Sequence, residues 1–456
     1  MKLIKCIKVC IAFALLSPLL SGCLIWNVVL FKDEQRFMNT GKEVKISNGT
    51  LVIATTFSLD DPRRGGYISI FEFENGTWVE KKTIDTKKYF KEPYQAPMNE
   101  WGVENRSFMD TGDTIIALMA SSTRIFKKSP YEKAILIFKK SGNEWAHLDT
   151  IYKGDPETFY GTFIKGNFRT GISVDKNTVI VPEERKGIHV FEIQGNETTG
   201  YLIPDKFSNT HSDGGVGIIR NDTIILSDIY REDVKSKRRV KVYTRSEENW
   251  ELAFIFDENS FPEIWTNQEG PFTEAWQRSM MGRYTGILDD GNVYAGSDRR
   301  VYFFRKDDHG YTVTQSIDIS NNDSENDAYI MDLVIKDGIM AYARGEKLYI
   351  YHTINDRWKL TDTIDLGKLQ PNKRIIDDVS LDISNDILVI GFDNVRKEWD
   401  SSDTIATIPF PPFMFKRNPG SVCILKIHPD GGYETQGIIT RKYNLFGRVK
   451  FVNKVK

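Results

Sequence analysis

Seven times along this chain a short apolar segment runs into a tight polar turn and out again into a second apolar segment. The hairpin reads ISNGTLVIA at 46–54, FMDTGDTIIAL at 108–118 and ISVDKNTVIV at 172–181. It returns as IIRNDTIILS at 218–227, ILDDGNVYAG at 287–296, VIKDGIMAYA at 334–343 and LDISNDILVIG at 381–391. Asn-Gly, Asp-Gly and Asn-Asp between β-type segments are hairpin chemistry, because these residues accept the positive φ that a tight turn needs. A third strand follows each hairpin: GYISIFEF (66–73), AILIFKK (134–140), GIHVFEI (187–193), VKVYTR (240–245), RVYFFRK (300–306), KLYIYHT (347–353) and SVCILKI (421–427). Behind most of these come a turn and an aromatic residue: Trp78, Trp145, Trp250, Tyr311, Trp358 and Tyr433. The unit that starts at Ile172 lacks the tryptophan and ends at Tyr201.

Each unit therefore reads as about four strands, repeated every 45–70 residues or so. A single four-stranded unit cannot bury both of its faces, whereas a ring of such units buries them against one another and hides most strand edges. The expectation is an all-β chain, a seven-bladed β-propeller of four-stranded antiparallel blades. Two stacked β-sandwiches are the alternative, and they explain the period poorly. Composition agrees with strands, with 27 Phe, 19 Tyr and 9 Trp among 456 residues, together with recurrent Val, Ile and Thr.

The composite pattern, GD.lvvG…G.vyiF…W, resembles the FG-GAP/integrin-type and related WD40-like bacterial propeller repeats over nearly the whole chain after the leader. The resemblance implies seven blades. It does not carry calcium over, because the Asp-x-Asp-x-Asp-Gly loop of that family would sit in first hairpins whose turns hold only two or three residues here. A WD dipeptide per unit and a quinone-type propeller signature are also missing.

The N-terminus is a separate problem. Lys2, Lys5 and Lys8 precede a nearly continuous apolar run from Val9 to Leu20, broken by Ser17 and Pro18. That order is the secretory leader pattern, and the run is too short, with a proline inside, for a good bilayer-spanning helix. The tetrad Leu20-Ser21-Gly22-Cys23 resembles the lipobox of bacterial lipoproteins. The resemblance implies cleavage before Cys23, a diacylglyceryl thioether on its sulfur, and acylation of the new N-terminus. Several acyl chains anchor stably where one alone binds marginally. Leu24 follows where some proteobacteria place the Asp that retains lipoproteins in the inner membrane, so an outer membrane is favoured in organisms that have one. The expected organisation is a signal peptide at 1–22, a lipidated segment at 23–42 and the propeller at 43–456. Leu24 to Phe31 is apolar and strand-like, and is expected to pack on the propeller, as an added outer strand.

Loss of residues 1–22 takes the formal charge from −2 to −5, which argues against bulk nucleic-acid binding. Of four cysteines, Cys6 and Cys10 lie in the leader and Cys23 is the lipid attachment site. Cys423 is left without a partner, so neither a disulfide framework nor a cysteine metal site can be built. No metalloprotease, nucleophile-elbow, phosphate-loop or dinucleotide motif occurs, no cofactor is implied, and the six histidines are scattered.

Candidate sites sit on one face. In such a ring the first-to-second and third-to-fourth turns share a face, and here they are tight; the second-to-third loops and blade connections share the other, and they are long. The second-to-third loops are rich in Arg and Lys interleaved with acids, which fits either an anion-facing rim or a salt-bridged, solvated loop set. Arg106, Arg169 and Arg283 each stand just before a first strand, and His211 and Asp213 lie in a further connection. Three arginines at equivalent positions can converge on a carboxylate or phosphate, or form blade-to-blade salt bridges with Asp110, Asp175 or Asp289. The run DISNNDSENDAY (318–329) has oxygen ligands at alternating spacing but no turn glycine, and reads as a polar loop. An insertion at 393–420 carries Phe410, Phe413 and Phe415 in a proline-stiffened apolar stretch, suited to plug the channel or to contact a partner or membrane. The functional expectation is a membrane-anchored, non-catalytic binding or scaffolding module of the cell envelope, whose partner is an unidentified protein, an anionic glycan or a lipid headgroup. The alternative is a glycan-active hydrolase or lyase at the channel mouth, with Asp213, Asp332, Asp377 and Asp378 as its candidate acids.

Overall fold

A computed structural model describes residues 38–57, 67–89, 109–112, 114–122, 132–153, 172–183, 186–205, 216–232, 235–246, 249–265, 281–320, 330–369, 378–393, 420–443 and 449–453. The chain forms seven antiparallel sheets, each a contiguous stretch whose strands follow chain order. Blades 1 to 7 span 38–85, 109–153, 173–204, 216–256, 284–318, 330–365 and 378–453. This is the expected seven-bladed propeller. Blade 7 carries a fifth strand, Val449–Asn453, paired with the outer strand Tyr433–Tyr443. The segment Leu24 to Phe31, expected as an added strand, lies outside the described residues.

Apolar side chains explain why the sheets close into a ring. Among the described residues they gather into seven clusters, one at each seam between neighbouring blades. Val52 and Ile70 of blade 1 meet Leu118 and Phe138 of blade 2. Ile46 and Leu51 meet Val389 and Ile424 of blade 7, which closes the circle. A blade is thus buried on both faces, and its middle strands read as near-continuous apolar runs rather than alternating ones. The third strand Tyr67–Glu74 is buried from Ile68 through Glu72, whereas the fourth, Thr77–Asp85, is mostly wet.

The turns follow the predicted chemistry. Asn48-Gly49 and Asp337-Gly338 both hold positive φ, at 41° and 78° and at 54° and 73°. Lys176 sits at φ 50°, a conformation costly for a long side chain.

Outer edges are managed by a repeated irregularity. In six blades the pairing of third and fourth strands slips by one residue, leaving Lys81, Leu148, Ala253, Thr314, Thr361 and Gln436 as the extra residue. Such bulges increase twist and spoil an edge as a template for further pairing. Blade 3 pairs without a slip.

The aromatic residue behind the third strand has a consistent task. Trp145 of blade 2 donates its Nε1–H to Glu72 of blade 1 at 2.9 Å, and Trp250 of blade 4 donates to the Tyr201 hydroxyl of blade 3 at 3.0 Å. Trp358 of blade 6 stacks on Phe303 of blade 5, with centroids 5.0 Å apart. Each reaches back to the preceding blade. Among the described residues no helix is long and apolar enough to cross a membrane.

Candidate functional site

The first strand of each blade is innermost, so one edge of it has no strand partner. Its unpaired N–H groups need acceptors. Short polar side chains of the preceding blade supply them. Asp110 Oδ2 accepts the Val174 N–H at 2.8 Å, Asp332 Oδ2 accepts Leu381 N–H at 2.7 Å, and Asp382 Oδ2 accepts Ile46 N–H at 2.7 Å. In each case the other carboxylate oxygen takes the N–H of the residue that follows, Thr111, Leu333 or Ile383. Asp175 and Asp337 do the same for Asn221 and Asn385 at the turn ends. Ser173, Ser380 and Ser384 bond Ile219, Val44 and Asn48 through their hydroxyls. Burial pushes the Asp110 carboxyl upward, opposed by the Lys45 ammonium and two backbone N–H groups, while Asp382 adds to the rise.

At the mouth on the tight-turn face, cations reach across the channel. Arg220 of blade 4 pairs with Asp289 of blade 5 and, at 3.5 Å, with Asp337 of blade 6, and donates to the Ile287 carbonyl. Lys336 of blade 6 donates to the Ile46 carbonyl of blade 1 at 3.3 Å.

The loop face holds a second polar network, across blades 3 to 6. Asp228, fully buried, takes Arg239 at 3.0 Å and Lys241 at 3.3 Å. Lys241 also bonds Asp205, at the end of blade 3, at 2.6 Å, and the Tyr243 hydroxyl donates to the same carboxylate. Burial and the Asp205 carboxylate push the Tyr243 phenol far up, so it remains a donor. Burial likewise raises Asp228, with Lys241 and Arg239 pulling against it. Ser227 and Arg238 donate to the Gly282 carbonyl, which ties blade 4 to the start of blade 5. Arg344 of blade 6 donates to the carbonyls of Asp298 and Ile319 in blade 5. Charges here join blades. Among the described residues, no group of three His, Cys, Asp or Glu side chains could hold a metal ion.

Of the three arginines singled out in the sequence, Arg283 is described. It is buried, 2.6 Å from Asp298 Oδ2, and lies against the Tyr284 ring. Asp298 belongs to the same blade as Arg283, whereas Asp110 and Asp175 hold backbone N–H groups of the next blade and Asp289 holds Arg220. Arg106, Arg169, His211, Asp213, Phe410, Phe413, Phe415 and Cys23 lie outside the described residues. The strands that flank residues 394–419, Ile387–Asp393 and Ser421–Ile427, reach the loop face in blade 7, beside blade 1. Asp332 is built into the ring through both oxygens. His189 and His352 fall in third strands as expected, and His352 Nδ1 lies 2.7 Å from the Thr361 hydroxyl. The Asp228–Lys241–Asp205–Tyr243 network matches no motif in the sequence. Its one signal is Lys241 between Val240 and Val242, in step with Tyr243 on the same face.

No family model and no curated protein matches the chain. Among solved structures it is similar to a putative 6-phosphogluconolactonase from Bacteroides uniformis, at 13% identity and a TM-score of 0.47 over 89% of this chain and all of that one. A hypothetical selenium-binding protein from Sulfolobus tokodaii gives 10% and 0.47, covering 88% of this chain and 90% of that one. PorZ, a surface component of the type-IX secretion system of Porphyromonas gingivalis, gives 11% and 0.42, with 86% of this chain against 58% of that one. Likenesses this distant bear on neither activity nor ligand.

Proposed function

We propose that this chain is a lipid-anchored envelope protein whose propeller binds and scaffolds partners without transforming them. The observation that carries the non-catalytic part is the use of the inner carboxylates. Asp110, Asp332 and Asp382 each accept two backbone N–H bonds, one of them from the next blade, so these carboxylates serve to tie the blades to one another. The anchoring part rests on Leu20-Ser21-Gly22-Cys23 behind a basic and then apolar leader. A rigid ring with long connections on one face is a suitable frame for binding an envelope protein, an anionic glycan or a lipid headgroup.

Two experiments test this. Changing Cys23→Ala is expected to move the protein from the membrane to the soluble fraction, and continued membrane retention would refute the anchor. Pull-down with the acylated protein is expected to lose partners when residues 400–418 are deleted; identical recovery would remove that segment from the binding surface.

A further inference from the structure

We propose that the loop face of the propeller lies against the lipid surface and that the tight-turn face is displayed to solvent. The inference rests on Cys23 being the lipid-bearing residue. It follows from where the chain enters the ring and in which direction it runs.

Blade 1 begins with its innermost strand, Met38–Ser47, and that strand ends in the turn at Asn48-Gly49. Its start is therefore on the opposite, loop face. It is also central, because the first strands are the ones bonded to one another around the channel. Met38, where the described chain begins, therefore stands near the middle of the loop face.

The tether is short for any other arrangement. Fifteen peptide steps separate Cys23 from Met38. To present the turn face to the bilayer, it would have to cross three strand spacings to the rim, about 14 Å, and then run the height of a blade, about 25 Å. A flexible chain of this length spans only about 20 Å on average, and about 50 Å when pulled straight. Holding it near its limit removes most of its conformational freedom, whereas resting the loop face on the bilayer requires no stretching.

A soluble partner therefore meets the tight-turn face and its Arg220–Asp289–Asp337 cluster first. Met38, and the ends of the strands on the loop face, are turned to the lipid surface.

The test uses the acylated full-length protein in phospholipid vesicles that contain nitroxide-labelled lipid. A fluorophore is placed on the loop face by Lys88→Cys or Glu346→Cys, and on the turn face by Asn143→Cys or Asp308→Cys; all four positions are exposed. Cys423 does not compete for the label, since it is 1% exposed and its thiol is pushed up to about 12 by burial. Both loop-face labels are expected to be quenched severalfold more than both turn-face labels. Equal quenching, or stronger quenching on the turn face, in protein that floats with the vesicles would overturn the orientation and leave the anchor standing. Failure of the acylated protein to float would overturn the anchor, and the orientation with it.

Discussion

A carboxylate that accepts two N–H groups differs at the residue scale from one held by a surface lysine. Asp332 is buried and bonds Leu333 and Leu381 at 2.7 Å each. Removing a partner from a buried donor costs about 1–3 kcal/mol. Asp332→Ala is therefore expected to lower stability by about 2–4 kcal/mol, and Asp332→Asn by less, since the amide keeps one acceptor. Denaturant unfolding measures this, and a loss within about 0.5 kcal/mol for the alanine variant would show that the bridge is idle. Lys176 is the opposite case. At φ 50° its backbone is in the left-handed region, where a Cβ is penalised and glycine is not, so Lys176→Gly is expected to stabilise the chain by a few tenths to about 1 kcal/mol. A loss on the same assay would mean that the lysine makes a contact outweighing the strain.

The unit at the element scale is the seam. Between blades 1 and 2 it contains an ionised group, Glu72, held by Lys140 at 2.8 Å and by the Trp145 indole at 2.9 Å. Burial works to raise the Glu72 carboxyl, but the bonds from Lys140 and Trp145 outweigh it and hold the group below the ordinary value of 4.5. A carboxylate lowered in the folded state stabilises the fold fully above its unfolded value. That contribution is lost as pH falls through the lower, folded one. Glu72→Gln is therefore expected to cost stability at neutral pH and to flatten the acid limb of the stability profile below the ordinary carboxylate value of 4.5. Unfolding midpoints across that range check it; parallel profiles for the two proteins would place the acid sensitivity elsewhere. Why most fourth strands open on a large aromatic is also answered at this scale, since the ring reaches back across the seam.

At the scale of the whole molecule, the seam between blades 7 and 1 stands apart. The chain runs from blade to blade at the other six seams, but here the first and last blades meet, and among the described residues no strand is exchanged between them. Closure rests on the apolar cluster of Ile46, Leu51, Val389 and Ile424 and on Ser380, Asp382 and Ser384 reaching Val44, Ile46 and Asn48. Asp382→Ala is expected to speed amide exchange at Val44, Ile46 and Asn48 more than at Leu381, which lies at a seam the chain spans. Uniform acceleration would mean the ring opens elsewhere.

Much of the architecture follows from local pattern. Asn-Gly and Asp-Gly turns at regular intervals, unbroken apolar runs at second and third strands, and an aromatic residue behind most third strands require sheets buried on both faces. Seven such sheets in one chain favour a ring over two stacked sandwiches. These are short-range signals, readable along the chain because strands and turns obey fixed periodicities. The roles of Asp110, Asp332 and Asp382 were not readable. Each is a polar residue in or beside a hairpin strand, and sequence alone allows it to be a salt-bridge partner or an acid catalyst. Only tertiary structure brings Leu381 to Asp332 and Ile46 to Asp382, the latter across 336 positions of chain. The fifth strand of blade 7, the buried Asp228–Lys241–Asp205 chain and the Asp298 partner of Arg283 belong to the same class. The order of strands is a local property of the sequence, whereas the destination of each buried charge depends on which blades the closed ring makes neighbours.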